Sequence, residues 1–175
     1  EVAEEICYDG TPAFKERFWA IENGWHVREF NAGPEVTRQL IDAGIPYALG
    51  TVEPTSAHLQ AVIGYDTRIS TLIIRDPGAR HYREVTIEEF FKEYEFSGPR
   101  GMAFVPKSQA AKLNAISLPD AELYDVYHDV QAALENHDRD QAEYGWKDLQ
   151  TLAPTNRLTK LAEWSICAYD GDLPR

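Results

Sequence analysis

Hydrophobic and polar residues alternate in the middle of the chain, and this pattern predicts two strands joined by a short turn. Side chains of a strand point alternately to its two sides, and one side of the stretch 58–65 is more apolar than the other. The stretch 70–75 is rich in β-branched residues, which favour strands, and the polar residues 66–68 favour a turn. Paired as a hairpin, the two strands place His58 and Asp76 together at the open end.

Other segments with strand or helix periodicity surround this hairpin. Further strands are predicted over 25–30, 45–52, 82–85 and 102–105, and helices over 1–7, 12–22, 34–43 and 87–94. Thr86 and Glu89 have the spacing of a capping box, which favours a helix start at Ile87. Short strands with helices mostly at one end predict an α+β domain with a mostly antiparallel sheet over residues 1–106.

After residue 106 the strand pattern stops, and three helices are predicted over 120–136, 140–152 and 158–169. The run 133–154 resembles a tetratricopeptide repeat, and Tyr-Asp-Gly-Asp at 169–172 echoes His-Asp-Arg-Asp 32 residues earlier, close to the period of about 34 residues. The segment 107–175 is therefore predicted to be a tetratricopeptide-like helical segment that binds a protein partner. An ordinary three-helix tail is the alternative.

Composition narrows the classes of partner. The 175 residues carry a net charge of −12, which disfavours binding to the phosphate backbone of nucleic acids. No apolar run approaches the roughly 18 residues of a membrane-spanning helix, so no membrane segment is expected in this chain. The two cysteines are far apart in sequence and do not form a disulfide framework.

His58 and Asp76 are the candidate catalytic residues. A carboxylate beside an imidazole fixes the tautomer of the ring and stabilises its protonated form, as in the catalytic triads of hydrolases. Each residue also has a simpler interpretation, because His58 alone is an ordinary strand-end histidine and an aspartate before Pro77 commonly opens a turn. The case for Asp76 therefore depends on its pairing with His58.

The remaining candidates are weaker. Cys7 and Cys167 are both interpreted as buried structural thiols, because each has apolar neighbours in a predicted helix. Gln60 is on the same side of its strand as His58 and would either line a site or be exposed. The other histidines have no metal-ligand spacing with cysteine or with one another, so neither a metal nor another cofactor is expected.

The motifs around the hairpin resemble those of the peptidase C39-like family of papain-like cysteine peptidases. The segment 58–66, His-Leu-Gln-Ala-Val-Ile-Gly-Tyr-Asp, is similar to the family's histidine motif, and the segment 74–77, Ile-Arg-Asp-Pro, to its aspartate motif. Two further likenesses keep the family's order: Gly-Ile-Pro at 44–46 before the histidine, and the predicted short helix that begins at Ile87 after Asp-Pro. The resemblance spans residues 1–106 and implies that His58 is the general base and Asp76 its orienting partner.

One part of the family pattern has no match. The family's nucleophile is a cysteine at the start of an N-terminal helix, ahead of the matched motifs. The resemblance therefore implies a peptidase that acts on a peptide or protein, with its cysteine upstream of Glu1, so that this chain alone would be inactive. Two alternatives stay open: a C39-like domain that binds peptides without cutting them, and an interaction protein that acts through its helical tail.

Overall fold

The structure is a computed structural model that describes residues 13–53 and 55–172. The chain divides into two compact units, Glu1–Pro119 and Asp120–Arg175. Within the described residues no helix is both long enough and apolar enough to cross a membrane.

A sheet of six strands forms the centre of the first unit. The strands are β1 (Trp25–Asn31), β2 (Tyr47–Glu53), β3 (Ser56–Asp66), β4 (Thr71–Arg75), β5 (Arg83–Thr86) and β6 (Arg100–Pro106). Their order across the sheet is β1-β6-β2-β3-β4-β5, and every neighbouring pair is antiparallel. The predicted α+β class with a mostly antiparallel sheet is confirmed.

Within residues 13–119, four helices accompany this sheet: α1 (Ala13–Glu22), α2 (Pro34–Asp42), α3 (Ile87–Tyr94) and α4 (Ala110–Asn114). The helix predicted over 1–7 lies outside the described residues. Single 3₁₀ turns, Glu95–Ser97 and Lys107–Gln109, flank β6. Thr86 occupies the N-cap position of α3, as predicted. Its side chain accepts no hydrogen bond there, however, so the predicted side-chain capping bond of Thr86 is wrong.

The main core lies on one face of the sheet, where apolar side chains of α2, α3 and α4 pack against β2, β3 and β4. Its fully buried members include Leu40, Leu49, Val62, Ile74 and Leu113. Because Leu113 of α4 is one of them, the structure groups residues 107–119 with the first unit rather than with the helices that follow. A smaller cluster on the other face includes Ala20, Val27 and Met102.

A β-bulge changes which residues of β3 face the core. Val62 lies opposite Ile74, but the register then shifts so that Gly64 lies opposite Ile73. The extra residue is Ile63, whose exposed fraction is 46%. Such a bulge reverses the alternation of sides along a strand. Before the bulge, Gln60 and Val62 lie on the same side as His58 and are buried, although the other side is the more apolar in sequence. After the bulge, Tyr65 lies opposite the buried Leu72 and packs against the same core.

The second unit consists of three helices, α5 (Ala121–Glu135), α6 (Arg139–Leu152) and α7 (Arg157–Asp170), close to the predicted boundaries. Their shared core includes Val130, Leu149 and Ile166. Gly145 allows α6 to lie close to α5, since a Cβ at this position would be 2.7 Å from a methyl carbon of Val130. The predicted helical segment is confirmed. Its tetratricopeptide character and its protein partner stay predictions.

Candidate active site

The pairing of three strands places the two candidate catalytic residues at one end of the sheet. His58 lies near the start of β3, opposite Thr51 of β2. On the other side of β3, Ala61 lies opposite Arg75, which is the last residue of β4. Asp76 is therefore the first residue beyond the strand, and the antiparallel hairpin carries it back towards His58.

His58 and Asp76 are in direct contact. The Nε2 atom of His58 lies 3.0 Å from Oδ2 of Asp76, and the histidine side chain has an exposed fraction of 46%. A carboxylate can only accept a hydrogen bond, so the nitrogen that faces it carries a proton. The other ring nitrogen, Nδ1, has no hydrogen-bond partner within residues 13–53 and 55–172. In the neutral ring this leaves a basic lone pair at a partly exposed position.

Three groups hold the buried carboxylate of Asp76. The backbone N–H of Gly78 donates to Oδ1 at 2.8 Å, and Nη1 of Arg83 donates to Oδ2 at 3.0 Å. The hydrogen bond from Gly78 lowers the pKa of Asp76 most, and His58 and Arg83 lower it further against the opposing effect of burial. Asp76 is therefore ionised at neutral pH, which is the state that orients and stabilises an imidazolium.

Arg83 extends the site towards the neighbouring strand and helix. Its side chain starts from β5 and has an exposed fraction of 54%. Tyr94, the last residue of α3, donates a hydrogen bond to Glu53 at 3.2 Å. Partial burial raises the pKa of Tyr94 most and the bond to Glu53 adds to it, whereas the charge of Arg83 lowers it. Arg83 therefore acts on Tyr94 as well as on Asp76.

Gln60 is buried on the same side of β3 as His58. Only 6% of its surface is exposed, and its Oε1 atom has no hydrogen-bond partner within the described part of the chain. The sequence left open whether this residue is exposed or lines a site, and the structure excludes the exposed position. A buried amide oxygen without a partner is unusual in folded proteins, because it loses its hydrogen bonds to water without replacement.

The described part of the first unit supplies no thiol to this site. Cys167 lies in α7 and is only partly buried, so its interpretation as a core residue is wrong. Cys7 lies outside the described residues, and its predicted burial stays untested. Between residues 13 and 119 the sequence contains no cysteine. Within the described ranges no group of three histidine, cysteine, aspartate or glutamate side chains is arranged to hold a metal ion.

The comparison with sequence models of protein families agrees with the motifs of the hairpin. The sequence model of the family described as "Peptidase_C39 like family" matches residues 20–102, a range that contains both His58 and Asp76. A similar solved structure is the peptidase domain of Streptococcus ComA, a bifunctional ABC transporter involved in a quorum-sensing pathway. It is 18% identical, with 61% of this chain and 76% of that chain covered and a TM-score of 0.47. A comparison with curated proteins found no match. Residues 20–102 of this chain are therefore similar in sequence to the peptidase C39-like family.

Proposed function

We propose that the first unit is a cysteine peptidase domain in which His58 is the general base and Asp76 orients it. The observation that carries this proposal is the 3.0 Å contact between His58 Nε2 and Asp76 Oδ2. It directs the proton of the neutral ring to the carboxylate and leaves Nδ1 to accept a proton from a thiol. The resemblance to the family implies that the nucleophile is a cysteine upstream of Glu1.

The chemistry follows the usual two steps of thiol peptidases. The thiol transfers its proton to Nδ1 of His58, and the resulting thiolate attacks the carbonyl carbon of a peptide bond. The protonated ring then donates that proton to the leaving amine, which releases the first product and leaves a thioester. A water molecule, deprotonated by Nδ1, hydrolyses the thioester and restores the thiol. Throughout, the carboxylate of Asp76 stabilises the imidazolium.

A second candidate is a peptide-binding domain without catalysis. The absence of any cysteine between residues 13 and 119 favours it, because the described part of this unit then provides the base and its partner but no nucleophile. The two functions make different demands on His58. A peptidase needs its proton transfer, whereas a binding domain needs at most its shape and hydrogen bonds.

The pH dependence of cysteine alkylation distinguishes the two. Each cysteine of the full-length natural protein is followed by mass spectrometry in the unmodified protein, in His58→Ala and in the control His81→Ala. His81 is exposed and lies outside the His58–Asp76 contact. A thiolate paired with an imidazolium reacts well below the ordinary thiol pKa of about 8.5. We expect one cysteine to be alkylated well below that pKa in the unmodified protein and in His81→Ala. In His58→Ala the same cysteine should react as an ordinary thiol.

The opposite result is equally informative. If the alkylation of every cysteine is the same in the unmodified protein and in His58→Ala, no thiol is paired with His58. The peptidase proposal is then rejected, and the binding domain remains. Cys167 serves as an internal reference, because we expect its reactivity to be independent of His58.

A further inference from the structure

Two basic side chains share a single oxygen atom of Asp76. His58 Nε2 and Arg83 Nη1 each lie 3.0 Å from Oδ2, while the backbone N–H of Gly78 donates to the other oxygen, Oδ1. The guanidinium is charged at every accessible pH, whereas the imidazole becomes charged only on protonation. A protonated His58 therefore has to share its counter-ion with a permanent cation.

The shared oxygen has an electrostatic consequence. The negative charge that faces His58 is partly balanced by Arg83 before the ring is protonated, and two cations on one oxygen also repel each other. Both effects disfavour the protonated form of the His58 ring. Other charged or titratable groups near this turn have other partners among the described residues: Arg75 donates to the backbone carbonyls of Ala79 and Arg80, and Glu53 accepts a hydrogen bond from Tyr94.

We propose that Arg83 is a positioning residue that competes with His58 for Asp76 and so weakens the stabilisation that this carboxylate gives to protonated His58. The inference rests on the proposed role of His58 as a general base. A base must be unprotonated to accept a proton, and a carboxylate that faces His58 alone would favour the charged ring more strongly. By sharing that carboxylate, Arg83 favours the unprotonated ring that accepts the proton.

The position of Arg83 makes this inference testable without loss of the fold. Its side chain has an exposed fraction of 54%, and Asp76 is its sole hydrogen-bond or ion-pair partner within the described ranges. The strand β5 is paired to β4 through backbone atoms, with Arg83 opposite Ile74. Replacement of the side chain therefore leaves the pairing of the strands intact.

The test is an NMR titration of the ring protons of His58 in the 175-residue chain. It compares the unmodified protein with Arg83→Gln, with the charge-conserving Arg83→Lys and with the control Arg80→Gln, which replaces an exposed arginine of the loop before β5. We expect the titration midpoint of the His58 ring to rise by about 0.5–1 pH unit in Arg83→Gln, which is about three- to tenfold in proton affinity. Arg83→Lys and Arg80→Gln should change it by less than about 0.2 pH unit.

A second readout separates competition from a general disturbance. The carboxyl carbon of Asp76 is titrated in the same variants, and loss of the Arg83 hydrogen bond should raise the pKa of Asp76 towards its ordinary value. An unchanged or lower midpoint for His58 in Arg83→Gln overturns the proposal. The titration requires no nucleophile, so it can fail while the alkylation experiment succeeds, or succeed while that experiment fails.

Discussion

Two clusters of basic and carboxylate side chains in the first unit differ in their exposure to solvent. The hairpin cluster is His58, Asp76 and Arg83, in which the two basic side chains have exposed fractions of 46% and 54%. The helix-1 cluster joins α1 to β1 and β6 and consists of Glu16, Arg17, Glu29 and Arg100. No side chain of the helix-1 cluster is more than 16% exposed.

Among the described residues, the helix-1 cluster pairs two cations with two anions. Arg17 contacts Glu29 at 3.1 Å, and Arg100 contacts both Glu29 and, at 3.3 Å, Glu16. The hairpin cluster instead places two basic groups on one carboxylate and leaves Nδ1 of His58 unoccupied among the described residues. Ion pairs of similar length therefore occur in different surroundings, because the hairpin cluster keeps a ring nitrogen of His58 at a partly exposed position while the helix-1 cluster is buried.

The largest expected effect is the loss of Arg100. Its replacement in Arg100→Met leaves Glu16 and Glu29 buried near only one remaining guanidinium of the cluster. Removal of one partner from a buried ion pair typically lowers the free energy of unfolding by about 3–5 kcal/mol. Urea unfolding of the purified protein measures this change. The cluster would then be confirmed as a part of the structure that holds α1 to the sheet.

The matched control is Arg38→Met. Arg38 contacts Glu88 at 3.0 Å, but the two side chains have exposed fractions of 40% and 66%. Exposed pairs of this kind contribute at most about 1 kcal/mol. Equal losses of stability in Arg100→Met and Arg38→Met would contradict the distinction between buried and open clusters.

A smaller effect of the opposite sign is expected beside the hairpin cluster. Gln60→Leu removes a buried oxygen that has no partner in the described structure and should raise the free energy of unfolding by about 1 kcal/mol. Gln39→Leu, on an exposed position of α2, should change it by less than about 0.5 kcal/mol. A loss of stability in Gln60→Leu would instead indicate that a buried water molecule satisfies the amide.

The smallest effect is a difference in pH dependence between the clusters. Burial raises the pKa of Glu16 above its ordinary value of 4.5, against the attraction of Arg100. The hydrogen bond from Gly78 and the contacts of His58 and Arg83 lower the pKa of Asp76 below its ordinary value of 3.8. The stability contributed by Asp76 is therefore present above 3.8 and is lost as the pH falls through its folded value. For Glu16, stability is greatest below 4.5 and declines as the pH rises through its folded value.

Two isosteric variants measure this contrast in urea unfolding at several pH values. The stability lost in Asp76→Asn should shrink as the pH falls from about 6 to about 3, because the native carboxylate is then protonated as well. Glu16→Gln should become more favourable relative to the unmodified protein as the pH rises from about 4 to about 7. Parallel pH trends for the two variants would show that the two carboxylates have the same kind of environment.

Local patterns in the sequence were sufficient for the main elements and for the meeting of His58 with Asp76. Alternation and turn residues define a hairpin over 58–76, and an antiparallel hairpin necessarily returns its second strand to the start of its first. The motifs that resemble the C39-like family lie within the same local stretch. The three helices of the second unit follow from helical periodicity, which is also a local property.

The remaining parts of the site depend on contacts between segments that are distant in sequence or on irregular geometry. Arg83 reaches Asp76 because β5 pairs with β4, and no periodicity in either segment encodes that register. The side of β3 with Gln60 and Val62 is buried although the other side is the more apolar in sequence, and the bulge at Ile63 then places Tyr65 against the same core. The burial of Gln60 and the helix-1 cluster likewise arise only when the sheet and its helices pack, because burial is a property of the assembled fold and not of any single segment.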